Sequence, residues 1–88
     1  MITTADTRQA IDLAIEAEDS GVSVERMARV NGIDSERIVT LACGLREYLD
    51  EVHDELHRIG AAQGFTPQEV DQVFHERLAA MMPVRRVR

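Results

Sequence analysis

Between Ser35 and Ile59, apolar residues recur at Ile38, Leu41, Leu45, Tyr48, Leu49, Val52, Leu56 and Ile59. This is the 3–4 spacing that gathers side chains into one stripe along a helix. At 1.5 Å per residue such a helix rises roughly 37 Å, which is long for a chain of this size. An 88-residue chain is one domain, and a domain that small buries only about 60–65% of the surface its unfolded form exposes. The fold is therefore expected to be all-α and organised on this helix, with part of the stripe left for a partner to cover.

Three further helices are predicted around it. The first runs from Thr4 to Asp19, capped by Thr3 or Thr4, with Asp6 near its positive end, a thin apolar face of Ile11, Ala14 and Ile15, and Ser20-Gly21 as its stop. Ser23 caps a short second helix carrying Val24, Met27, Ala28 and Val30, which stops at Asn31-Gly32. Asp34 or Ser35 caps the long third helix, and Gly60-Ala61-Ala62-Gln63-Gly64 is expected to break it. Thr66-Pro67-Gln68-Glu69 is a capping box with proline in the first turn. The fourth helix that it opens carries Val70, Val73, Phe74, Leu78 and Met81 until Pro83. The third and fourth helices should form an antiparallel hairpin with Phe65 at the corner. Residues 1–82 then form a single helical domain, and residues 83–88 a basic tail that is expected to be flexible.

Charge divides the chain in the same way. Residues 1–76 hold all sixteen acids and six of the ten arginines, a net −10, whereas residues 77–88 carry +4. An acidic body is repelled by the phosphate backbone that dominates nucleic-acid affinity, and it attracts basic protein surfaces. Aromatics make up only 3% of the residues, so the core must be aliphatic. A single cysteine, Cys43, leaves no internal disulfide and no cysteine-based zinc site, which suits a reducing compartment. The N-terminal residues show no secretory pattern, and no window approaches the roughly 18 apolar residues of a membrane span. A cytoplasmic location without membrane association is the expectation.

Val24 to Leu41, VERMARVNGIDSERIVTL, has the spacing of two helices joined by a tight turn. Ala28 is small where the helices would cross, Gly32 suits a left-handed turn, and Met27, Ile33, Ile38 and Leu41 close a small core between them. In these positions the segment resembles the helix-turn-helix of bacterial and phage regulators. Asn31 departs from the pattern, standing where such motifs place an apolar residue. The resemblance covers about 18 of the 88 residues. It implies that the outward residues opening the third helix, Asp34, Ser35, Glu36, Val39, Thr40 and Cys43, would enter a DNA major groove. Base edges are read by Arg, Lys, Asn or Gln, and acids there face phosphate repulsion. For a DNA-binding dimer the candidate residues are Arg26, Arg29, Ser35, Arg37, Thr40, Arg85, Arg86 and Arg88. Arg26, Arg29 and Arg37 have an alternative use in ion pairs with Glu25, Asp34 and Glu36.

Three other groupings carry chemistry. His53 and His57 stand one helical turn apart, a spacing that grips zinc, and an antiparallel fourth helix could bring His75 to them. The zinc-protease pattern needs Glu after the first histidine, where this chain has Asp54. His57 and His75 fall outside the apolar stripes, where a solvated histidine is the common condition, so no metal site is expected. Glu47, Asp50, Glu51, Asp54 and Glu55 line the face opposite the stripe, with Arg46–Asp50 and Asp54–Arg58 as offsetting pairs. Val39 and Cys43 form a small apolar spot beside Thr40 and Gly44, either an internal contact with the first helix or an intermolecular one. Gly44 costs roughly 1 kcal/mol in mid-helix, which implies a packing reason for it.

No phosphate loop, nucleophile pair or carboxylate cleft is present, so no catalysis and no cofactor is expected. The leading expectation is a regulatory or adaptor module that binds a basic protein surface through Val39, Cys43, Glu47, Asp50, Glu51, Asp54 and Glu55, with a second copy of the chain as another candidate partner. A DNA-binding regulator is the competing reading, and an acidic mimic of DNA a third.

Overall fold

Helix starts in this chain are set by local side chains. Thr3 Oγ1 accepts from the Asp6 amide at 3.1 Å while Asp6 Oδ2 accepts from the Thr3 amide at 3.2 Å, a reciprocal capping box. Ser23 Oγ accepts from the Arg26 amide at 3.1 Å, and Ser35 Oγ from Ile38 at 3.5 Å. Thr66 and Glu69 form the second box, at 2.8 and 3.1 Å. The computed structural model describes residues 3–81, in which these caps open α1 (Thr4–Ser20), α2 (Val24–Val30), α3 (Glu36–Gln63) and α4 (Pro67–Met81). The all-α, four-helix fold expected from the apolar spacing is present. Pro83, Arg85, Arg86 and Arg88, with the rest of the basic tail, lie outside the described residues.

The thin face expected of α1 is in fact the centre of the molecule. Ala10, Leu13, Ala14 and Ala17 are buried against Val24 and Ala28 of α2 and Ile38 and Ala42 of α3. Five alanines in this cluster let helix axes approach closely. One residue further round, Ile15 meets Phe74 and Leu78 of α4, with Leu49 and Val52 of α3 against them. Helix α1 thus packs on all three others, which rotates its buried face away from Ile11 and leaves that side chain exposed.

The turn between α2 and α3 follows the local expectations. Gly32 has φ +71°, Ala28 is buried, and the Ile33 amide donates to Ala28 O at 2.8 Å. Asn31 ends α2, its side-chain amide donating to Met27 O at 2.9 Å and to Glu16 Oε1 at 3.4 Å. A polar residue is used there because it closes the helix end.

Helix α3 does not break at Gly60. Ala61, Ala62 and Gln63 are good helix formers, and the helix runs on to Gly64, whose φ of +92° provides the left-handed stop. The Phe65 amide donates back to Gly60 O at 2.9 Å, the six-to-one bond of a Schellman end. Gly60 is instead a packing residue: a Cβ placed on it would lie 2.7 Å from Val70 Cγ2 of α4. The radius of gyration, 14.2 Å, exceeds the roughly 12 Å of a compact chain of this length, because the α3–α4 hairpin extends beyond the three-helix body.

Candidate functional site

The hairpin leaves much of its apolar surface uncovered. In α3 only Ile38, Ala42 and Gly60 are buried; Leu41, Leu45, Leu49 and Val52 are half-buried, and Tyr48, Leu56 and Ile59 are exposed. The single buried stripe read from the spacing is therefore covered at its N-terminal end and open at its C-terminal end, where α1 is no longer beside it. In α4, Phe74 and Leu78 are buried but Val73 and Met81 are 57% and 59% exposed. Together Leu56, Ile59, Phe65, Val70, Val73 and Met81 line an open groove of about 770 Å³ along the hairpin. Glu69, Glu76 and Arg77 also border it. Exposed apolar surface this continuous is uncommon on a chain with no use for it.

On the other flank of the α3–α4 contact lies a polar cluster. His57 follows Leu56, and Asp71 follows Val70, so each is turned roughly 100° from the groove. His53 Nε2 and His57 Nε2 lie 2.6 and 2.7 Å from the same Asp71 Oδ1 and 3.2 Å from each other. Hydrogen bonds from His57 and then His53 hold the Asp71 carboxyl below its ordinary range. The His53 ring also rests 4.7 Å from the Phe74 ring, which restricts its orientation.

His53 and His57, one helical turn apart, thus meet at Asp71, and His75 does not join them. Helix α4 packs on α1 as well as α3, and the resulting rotation places His75 Nδ1 3.5 Å from Asp19 Oδ1 on α1. Asp71 takes the place facing α3. Neither the apolar periodicity nor the histidine spacing pointed to Asp71, since its position depends on that rotation.

The residues expected to bind a partner separate into two groups. Glu47, Asp50, Glu51, Asp54 and Glu55 are exposed. Val39 and Cys43 are half-buried and pack against the core shared by α1, α2 and α3, the internal one of the two contacts expected for them. The Cys43 thiol lies 3.6 Å from Glu25 Oε2, and burial first, then Glu25, pushes its pKa up, which keeps it protonated and unreactive. Gly44 is exposed with open space where a Cβ would stand, so among the described residues no internal packing reason for it is found.

The ion pairing also differs from expectation. Arg46 turns from Asp50 to the 9%-exposed Glu18 of α1, at 2.7 Å, and donates to Val22 O. Burial, then the neighbouring Asp50, raises the Glu18 pKa against the opposing pull of Arg46. Arg58 pairs with Glu55, not with Asp54. Both differences favour geometry: Arg46 closes a gap between α1 and α3, and Glu55 lies on Arg58's own turn.

Of the DNA-reading candidates, Arg26, Arg29, Arg37 and Thr40 are exposed, and Ser35 is engaged as the α3 cap. Asp34 and Glu36 are exposed at the same tip. Among the described residues no helix is long and apolar enough to cross a membrane. No family model, curated protein or solved structure matches the chain.

Proposed function

We propose that this protein is a non-enzymatic interaction module whose α3–α4 groove receives an amphipathic helix with basic flanks from another protein. The observation that carries this reading is the uncovered groove, where Leu56, Ile59, Phe65, Val73 and Met81 face solvent together. An amphipathic helix laid in such a groove buries apolar surface on both sides, with anchors spaced three and four residues apart. Charge selects the partner. Glu55 and Glu51 stand on the outer side of α3, Glu69 and Glu76 border the groove on α4, and the chain carries −6 overall. A basic flank is attracted to this surface and a second copy of the chain is repelled. The acidic strip of α3 lies across the helix from this apolar seat and does not line it, so it attracts a basic flank at long range, which is a different division of labour from a strip that binds by itself.

The test uses two helical peptides of roughly 20 residues, about 30 Å long, sharing one leucine stripe. One is flanked by arginine and the other by glutamate. The arginine peptide should bind, weaken as salt is added, and lose affinity to the Val73→Glu variant. Equal binding of both peptides, or of neither, would overturn the reading. Light scattering should show a monomer; a dimer abolished by Val73→Glu would assign the groove to a second copy instead.

A further inference from the structure

His53 and His57 of α3 and Asp71 of α4 present three ligand atoms to one point from two different helices. We propose that they form a binding site for a divalent transition metal of the imidazole-preferring class, ligated by His53 Nε2, His57 Nε2 and Asp71 Oδ1. The geometry needs little change to accept an ion. The three atoms are separated by 2.6, 2.7 and 3.2 Å. With metal–ligand bonds of ~2.0–2.1 Å, cis ligands of an octahedron stand ~2.9 Å apart and those of a tetrahedron ~3.3 Å. An ion equidistant from all three atoms at that bond length lies about 1.2 Å from their plane.

Chemistry selects the class of ion. Two imidazoles and one carboxylate suit zinc, nickel, cobalt or iron, whereas calcium and magnesium require oxygen-rich shells. All three side chains are partly exposed, at 26%, 28% and 48%, so water can complete the coordination sphere and the ion has a path of entry. The Asp71 carboxylate is ionised across the neutral range, and the ring of His53 is held by Phe74. In the metal-free protein both rings can donate Nε2–H to the single Asp71 oxygen. Binding requires each ring to carry its proton on Nδ1, so for neutral imidazoles the step is a change of tautomer with no net proton release. A bound ion joins α3 to α4 on the flank opposite the groove, and the site is independent of what the groove binds.

Zn²⁺ and Co²⁺ titrated into the full, tag-free chain should each saturate at one equivalent, with visible Co²⁺ bands and a rise in Tm. His57→Ala and Asp71→Asn should each weaken Zn²⁺ at least tenfold while retaining wild-type helicity, and His75→Ala should leave affinity unchanged. In the wild-type protein, ¹⁵N shifts should place the metal on Nε2 of His53 and His57, a readout that needs no variant to fold. Absence of saturable uptake, uptake unaffected by Asp71→Asn, or a metal shift on His75 would overturn the proposal.

Discussion

Gly44 and Gly60 lie in the same helix, yet alanine should have opposite effects at the two positions. In a helix interior Gly→Ala gains about 0.8–1.0 kcal/mol from reduced backbone freedom in the unfolded chain. At Gly44 the added Cβ meets nothing within 4 Å, so Gly44→Ala should realise that gain in full. At Gly60 the Cβ falls 2.7 Å from Val70 Cγ2, well inside the ~3.5–4.0 Å of favourable carbon contact. Valine is branched at Cβ and cannot turn aside at χ1 without strain, and overpacking of this kind costs about 1–3 kcal/mol. Gly60→Ala should therefore be neutral to about 2 kcal/mol destabilising. The gap between the two variants, about 1–3 kcal/mol, does not depend on the propensity term, which is common to both. Urea unfolding followed by circular dichroism reads it as a difference in midpoint at constant slope. Equal stabilisation by both substitutions would show that α4 is not seated against Gly60, and the groove and histidine cluster would lose their common support.

Glu18 supplies a pH test. Its folded pKa is raised, so the folded chain binds more protons than the unfolded one just above the ordinary carboxylate range, and this group's contribution to stability declines as pH rises through the raised value. Relative to wild type, Glu18→Gln should accordingly become more stable as pH rises above the ordinary carboxylate range; a constant difference in urea midpoint would contradict the shift. In the acidic strip, Glu47→Gln with Glu51→Gln should leave stability unchanged or raise it by up to about 0.5 kcal/mol, since like charges four apart are relieved, and should weaken the arginine peptide. Loss of stability would mean that these acids have intramolecular partners. Duplex DNA should show no mobility shift with this protein at low salt; a shift that vanishes steeply as salt is added would favour reading by the α3 tip despite Asp34 and Glu36.

What was legible in the chain was local. Thr66 and Glu69 announce α4, Ser23 announces α2, and Gly32 marks its turn, because each depends on side chains within four residues of one another. The periodicity of α3 also revealed more apolar surface than the chain can cover. Tertiary choices were hidden. Gly60 looks like a helix breaker until Val70 lies against it. Asp71 looks like an ordinary surface acid until α4, held by Ile15 through Phe74 and Leu78, turns it towards the histidines. Val39 and Cys43 look outward on an isolated helix and are half-covered once α1 and α2 are in place.

The central claim concerns which surface does the binding, and methyl NMR of the labelled protein during titration with the arginine-flanked peptide addresses it residue by residue. Perturbations should concentrate on Leu56, Ile59, Val70, Val73 and Met81 in the groove. Shifts confined instead to Met27, Ile33, Ile38 and Leu41, around the α2–α3 turn, would place recognition at the wrong end of α3 and contradict the groove outright.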